Sequence, residues 1–280
     1  MNNNTNVTPI KPLLRWAGGK TWLIKYLDEI IGNMTFNNYH EPFLGGAAVF
    51  FALNPQKRAY LSDANEDLIN TYKAIKYYPK KVIKELLSFE NTQEAYYEIR
   101  STYNADDIYM AARFIYLNQT SYNGLYRVNK AGHYNVPYGF RRSVQFESER
   151  ILTVSRRLKN VSLKSGDFTI NKYKINKGDL IFLDPPYTVS HNKNGFIEYN
   201  KNLFSLQDQF RLSDYIDFIK RKGGYYILTN AAHATIEDIF GTKGDRRIEL
   251  FRNSLIGGKY AKREEVSEYV YTNWGGNVSR

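Results

Sequence analysis

At 280 residues, 42% of them hydrophobic and 24% charged, the chain carries enough apolar material for one sizeable core and is not composed like a disordered protein. It contains no cysteine, which excludes a disulfide framework, a thiolate zinc site and a cysteine nucleophile. Apolar runs such as Leu180 to Leu183 fall far short of a bilayer span, and residues 1–10 lack the apolar stretch of a signal peptide. A cytoplasmic protein with no membrane partner is expected.

Lysine and arginine total 39 against 28 aspartates and glutamates, a formal net charge of +11. Such an excess suits a polyanionic partner, usually nucleic acid, although a genome poor in G and C also drives composition this way. The distribution decides. Thr120 to Asn160 holds eight bases (Arg127, Lys130, Arg141, Arg142, Arg150, Arg156, Arg157, Lys159) against two acids (Glu147, Glu149), over half of the whole excess.

In chain order, a short extended piece ends at Phe43, a glycine turn follows at Gly45 and Gly46, and Ala47 to Leu53 reads as a small apolar helix. Arg58 to Ser62 is the next strand, ending on Asp63; Leu68, Tyr72 and Ile75 then fall on one helical face. Helices are predicted near 79–88, 93–103 and 107–119 with no strand between them. Tyr122 to Phe140 is aromatic and rich in turn residues, as in a hairpin or ordered loop, and precedes a basic helix over 146–158. Short strands return at 161–164, 180–183 and 225–228, the last two separated by a helix over 205–222. Arg246 to Phe251 and Glu265 to Thr272 alternate like an antiparallel pair closing the sheet. The pattern predicts an α/β sheet interrupted by a helical and hairpin insert over about residues 71–159 that carries the basic cluster. Thr188 to Phe204, polar and rich in Asn and Lys, is expected to be a flap.

Two motifs invite wrong chemistry. Gly19-Lys20-Thr21 resembles the end of a phosphate loop, but Leu14 stands where that loop needs its first glycine and no strand precedes it. Asp63, Asn65 and Asp67 open like a calcium loop, but Leu68 and Ala74 occupy its glycine and glutamate positions. No metal is expected. Glu41 to Ala47 sits where a strand turns into a helix, and its glycines allow a ligand to approach the backbone. Asp63, eighteen residues after Gly45 at the end of the next strand, is placed to accept from two ribose hydroxyls, although many strands end in Asp for no such reason.

The informative tetrad is Asp184-Pro185-Pro186-Tyr187, directly after the strand Leu180 to Leu183. Ligands of open α/β sheets bind at the carboxyl ends of strands, and two prolines hold this backbone extended. The carboxylate of Asp184 and the carbonyl of Pro185 are two acceptors for the two N–H groups of an exocyclic amine, and Tyr187 offers a flat face to an aromatic base. A strand ended by a proline turn is the plainer alternative.

WAGGK, EPFLGGA, SDANEDL, NGLYRVNKAGHYNVPYG, SGDF and DPPY, in that order, resemble the DNA-adenine N6-methyltransferases of the Dam type, the alpha-arranged amino-methyltransferases, from about Lys11 to Asn273. DPPY is common to many amino-methyltransferases; the NGLYR…NVPYG block is far more specific and resembles enzymes that read GATC. The resemblance implies a Rossmann-like S-adenosylmethionine-dependent methyltransferase sheet over 1–70 and 160–280, with a target-recognition insert over 71–159. It implies that Trp16, Ala17, Gly18 and Lys20 contact the cofactor near its amino-acid end. Phe43, Gly45 and Gly46 would approach its methionine part, Asp63 its ribose, and Asp167 with Phe168 its adenine, while Asp184 borders the cofactor as well as the target amine. Arg15 matches a position that contacts the first base pair. Tyr122 and Asn123 match residues that intercalate beside the extruded adenine and fill its place. Arg127 matches a guanine reader, Leu125 and Pro137 fit a thymine methyl, and Arg141 and Arg142 fit phosphates; Leu125 packing the hairpin and Arg127 touching only phosphate remain open.

The implied reaction is in-line transfer of a sulfonium methyl to adenine N6, assisted by Asp184, Pro185 and Tyr187 and requiring the base to leave the duplex. A monomer suffices for methylating one strand at a time. Enzymes reading longer sites that contain GAT share much of the block. RNA adenine methylation, methylation of a protein amide and a DNA-binding relative without catalysis are the rivals; Asp184 speaks against the amide methylases, which more often carry Asn there.

Overall fold

The computed structural model describes residues 10–129, 131–141, 143–188, 204–253 and 265–275. Lys130, Arg142 and nearly all of the expected flap lie outside the described residues. Strands β1 (Tyr39–Glu41), β2 (Ala59–Asp63), β3 (Val161–Ser165), β4 (Leu180–Leu183), β5 (Tyr225–Ala231), β6 (Arg246–Asn253) and β7 (Glu265–Thr272) form one sheet in the order β3-β2-β1-β4-β5-β7-β6. β1, β4 and β5 run parallel, whereas β7 is antiparallel to both β5 and β6. This is a Rossmann-like α/β architecture with the antiparallel closure that the alternating C-terminal segments predict. β4 is buried at every position, as the near-continuous apolar run of a central parallel strand requires.

The chain divides into two compact units. The first comprises Met1–Ile24, Leu44–Gln56 and Leu61–Asp167. It contains α2 (Ala48–Leu53), α3 (Glu66–Tyr77), α4 (Pro79–Leu87), α5 (Gln93–Ser101), α6 (Asp107–Thr120) and α7 (Ser148–Arg157). α6 is buried along Ala111 to Asn118 and has α3, α4 and α5 packed around it, as a helix apolar on most sides must be. Asn65 caps α3, accepting from the Leu68 N–H, and Asp106 caps α6, so both helices begin where a short acceptor satisfies otherwise unpaired amides. The segment 121–141 is an ordered loop rather than a regular hairpin: a 3₁₀ turn at Tyr122–Gly124 and two isolated antiparallel bridges, Ser121 with Tyr138 and Val128 with Tyr134.

The second unit comprises Lys25–Phe43, Lys57–Tyr60 and Phe168–Arg280. It holds α1 (Leu27–Ile31), α8 (Leu206–Arg221) and α9 (Ala234–Phe240). Its core joins Ile181 and Leu183 of β4, Leu228 of β5 and Tyr271 of β7 to Leu212, Ile216 and Ile219 of α8 and to Phe240 of α9. A capping box between Ser205 and Asp208 starts α8. The structure extends β5 three residues past the expected Leu228, and α1 and α9 are helices that the apolar spacing does not announce. No helix among the described residues is long and apolar enough to cross a membrane.

Candidate active site

In the first unit, Asp63 closes β2, and its carboxylate is the hub of a turn. Oδ2 accepts from the Gly45 N–H at 2.9 Å and Oδ1 from the Asn65 N–H at 2.9 Å. Burial raises the Asp63 pKa, opposed by the amides of Gly45, Asn65 and Ala64. With three amides on its lone pairs, the carboxylate keeps capacity to accept a further bond. Gly45 has φ +47°, and a Cβ there would lie 2.6 Å from Trp16 Cδ1. Only glycine fits both the conformation and the space. Gly46 is buried against the Leu14 carbonyl, while Ala17 and Gly18 are exposed. Lys20 is buried and its ammonium donates to the Gly18 carbonyl at 2.9 Å.

The ordered loop 121–141 is joined to this turn within the same unit. Trp16 stacks on Tyr126 with ring centroids 5.5 Å apart. Asn118, buried on α6, accepts from the Arg15 N–H at 2.8 Å and donates to the Arg15 carbonyl at 2.8 Å, a two-bond clamp on the backbone of one residue. Gly124, at φ +65°, lies so close to the Arg15 side chain that a Cβ would be 2.3 Å from its Cδ. Among the expected DNA-contacting residues, Arg15, Tyr122, Asn123, Arg127 and Pro137 are exposed, and Leu125 and Arg141 are half-buried. Asn123 takes the left-handed conformation, φ +56°. Arg127 Nε donates to Asn135 Oδ1 at 2.8 Å and Nη2 to the Asn135 carbonyl at 3.3 Å. That pairing occupies one edge of the guanidinium and leaves the Nη1–Nη2 edge to meet a ligand.

In the second unit, Asp184 and Tyr187 follow β4, and buried side chains fasten this turn at three points. Thr229 of β5 donates its hydroxyl to Asp184 Oδ1 at 2.8 Å. Tyr187 donates to one oxygen of Glu268 on β7, whose other oxygen accepts from Arg252 Nε on β6. Gln209 of α8 donates to Thr188 Oγ1 at 3.2 Å and accepts from Asn230 at 3.1 Å. Thr188, Gln209, Thr229, Asn230 and Glu268 are all buried, and buried polar groups persist only when satisfied. Burial, then Glu268 and Asp184, push the Tyr187 pKa far up against the opposing charge of Arg252, so its phenol stays protonated and donates. Pro185 is buried beside the acceptor. Phe43 stacks on the buried Phe168 at 5.5 Å, giving this unit an aromatic pair; Asp167, the neighbour of Phe168, is exposed in the first unit.

Sequence reasoning missed Asn118, Asn135, Thr229, Gln209, Glu268 and Arg252. A signal existed for Thr229 and Asn230, which are polar residues directly after the apolar run Tyr225 to Leu228. No group of side chains among the described residues could hold a metal ion.

Comparison with known proteins names the chemistry. Residues 16–266 match the family of D12 class N6 adenine-specific DNA methyltransferases. The chain is 36% identical over 292 residues to the type II methyltransferase M.MjaIII of Methanocaldococcus jannaschii, covering 95% of this chain and 99% of that one. It is 34% identical over 281 residues to the type II methyltransferase M1.LlaDCHI of Lactococcus lactis subsp. cremoris, covering 96% and 98%. To the DNA adenine methylase of Vibrio cholerae it is 29% identical over 267 residues, covering 93% and 95%. An adenine-specific DNA methyltransferase is therefore what this α/β sheet carries, and the chain belongs to the D12 class of N6 adenine-specific DNA methyltransferases.

Proposed function

We propose that the protein takes its methyl group from S-adenosylmethionine and delivers it to N6 of an adenine extruded from duplex DNA, within GATC. The observation that carries the reading is the anchoring of Asp184 by Thr229 and of Tyr187 by Glu268, which fixes an acceptor and a flat ring at the end of one strand. The cofactor supplies an electrophilic sulfonium methyl. The donor set fits it: Asp63 keeps acceptor capacity for ribose hydroxyls and Gly45 lets the ligand meet backbone. Trp16, Ala17, Gly18 and Lys20 flank its amino-acid end, Phe43 and Gly46 its methionine part, and Asp167 and Phe168 its adenine.

At the target, Asp184 and the Pro185 carbonyl accept the two N6 protons and draw the nitrogen toward a pyramidal geometry, so its lone pair is released from the ring. That lone pair forms the new N–C bond, the C–S electron pair stays with sulfur, and positive charge passes to the base. Asp184 stabilises this charge as it grows. A carboxylate is too weak a base to deprotonate a neutral arylamine, so the N6 proton leaves after transfer. Tyr187 stacks on the extruded purine and offsets part of the unstacking cost.

Residues 71–159 form the recognition insert and 1–70 with 160–280 the catalytic part, working in the cytoplasm as a monomer. Arg127 reads guanine through its Nη1–Nη2 edge, Leu125 and Pro137 meet a thymine methyl, and Arg15 contacts the first base pair. Tyr122 and Asn123 enter the space the adenine leaves, and Arg141 with Arg142 bind phosphates. The test is incubation with methyl-labelled S-adenosylmethionine and duplex DNA, RNA or protein, followed by mapping of methylated adenines in DNA from cells expressing the chain. Label confined to GATC adenines is expected. Label in RNA or protein overturns the substrate, and methylation at a longer or different site overturns GATC.

A further inference from the structure

The phenol of Tyr187 does not end in solvent. It donates to Glu268, a carboxylate buried on β7 and itself gripped by Arg252. The arrangement is set by register: Glu268 stands opposite Leu250 and Arg252 opposite Val266, so Arg252 reaches Glu268 as a same-face diagonal neighbour. On its other side Glu268 stands opposite Ala231, next to the residues that follow Thr229. Stacking on a base requires only the ring, and a phenylalanine would supply it. A buried ion pair is a costly way to hold a ring, because both charges must leave water.

We infer that Glu268 is a positioning residue for methyl transfer: it locks the ring plane of Tyr187 and, as a charged acceptor, enriches that ring in electrons, so its face attracts the purine more strongly as positive charge develops. The inference rests on the reading that Tyr187 stacks on the extruded adenine. A phenol donating to a carboxylate shifts density onto its ring, and an aromatic face attracts cations through its quadrupole. The neutral purine gains little from this, and the purine bearing a new N–CH3 bond gains more. The interaction is thus stronger in the transition state than in the ground state, the only kind that raises kcat. Arg252 gives Glu268 a charged partner in its buried place. No proton moves along the chain, and Tyr187 remains a phenol throughout.

The experiment is steady-state and single-turnover methylation of duplex DNA by Glu268→Gln, Tyr187→Phe, their combination and Tyr187→Ala. Extrusion is followed by 2-aminopurine fluorescence at the target position, and folding by thermal denaturation. Glu268→Gln should lower kcat about tenfold while KM for DNA and for S-adenosylmethionine stays within about twofold and the extrusion signal is retained. Tyr187→Phe should lower kcat similarly, and Glu268→Gln added to it should cost less than about twofold more, because the two side chains act as one unit. A merely structural Glu268 would instead lower thermal stability with unchanged kcat, or act equally in the Tyr187→Phe background; either result overturns the inference. Should Glu268→Gln not fold, Tyr187→Phe decides alone, since it leaves the Arg252–Glu268 pair in place: wild-type kcat overturns, a tenfold fall supports. Wild-type methylation by Tyr187→Ala overturns the stacking itself. Loss in Tyr187→Ala with none in Tyr187→Phe overturns only the role of Glu268.

Discussion

Thr229 reaches Asp184 across the sheet, its hydroxyl 2.8 Å from the carboxylate, one position beyond the last parallel rung between Leu183 and Leu228. A buried threonine thus sets the orientation of the carboxylate proposed to receive the target amine. Thr229→Val keeps the shape and removes the donor. We expect kcat to fall about tenfold with the Kd for DNA unchanged, a loss on the scale of one charge-assisted hydrogen bond. Thr229→Ser should restore most of it. Rapid-quench methylation assays read the difference, and a Thr229→Val enzyme at full rate would show that Asp184 is held well enough without it.

Asp184→Ala removes the acceptor itself. Methyl transfer should disappear while binding to duplex DNA, followed by mobility shift, stays largely intact. Full activity in this variant would remove the proposed mechanism.

The proposed base reading by Arg127, which Asn135 orients, is separable from the proposed phosphate binding by Arg141. Arg127→Ala should cost about 1–3 kcal/mol of discrimination at one guanine position, measured as kcat/KM on GATC against single-base variants. Asn135→Ala, which unties the guanidinium, should lose part of the same discrimination. Arg141→Ala should weaken binding evenly across sequences and reduce the salt slope by about one. If Arg127→Ala and Arg141→Ala weakened all sequences alike, base reading by Arg127 would be withdrawn.

Gly45→Ala places a methyl group against the Trp16 ring in a backbone conformation unfavourable to alanine. We expect a loss of about 1–3 kcal/mol in stability. A weakened affinity for S-adenosylmethionine, seen by calorimetry, should accompany it. A protein unchanged in both would mean that Trp16 yields freely.

Acid sensitivity has a specific source in the second unit. Burial alone would raise the pKa of Asp179, but bonds from His40 and from the Asn176 and Asn38 amides, with the charge of His40, outweigh it and hold it below the ordinary 3.8. A depressed carboxylate contributes stability that is present above its unfolded value and lost as pH falls through its folded one. The Tm gap between the protein and Asp179→Asn should therefore be constant above about pH 5 and close below about pH 4. Parallel curves down to pH 3 would contradict this.

Much of the fold was legible because local signals sufficed. The unbroken apolar run Leu180 to Leu183 marks a central strand, and Leu68, Tyr72 and Ile75 mark the buried face of α3 at the expected spacing. Asp63 and Gly45 were legible as a pair, and they share a hydrogen bond. The supports of the DPPY turn were not. Glu268 lies 81 residues from Tyr187, and alternation along β7 shows which residues share a face without showing what each one meets. Likewise α9 is short, and with so few turns its periodicity is lost against the neighbouring strand.

Asn118 grips the backbone of Arg15 on both sides of its Cα while Gly124 makes room for the Arg15 side chain. Loop exchange between relatives, the obvious route to new sequence preferences, therefore has a natural cutting point. A transplanted 122–139 segment will seat only if the donor also brings a small residue for Gly124 and meets an amide at 118, so grafts should be cut ahead of α6 and not at Tyr122.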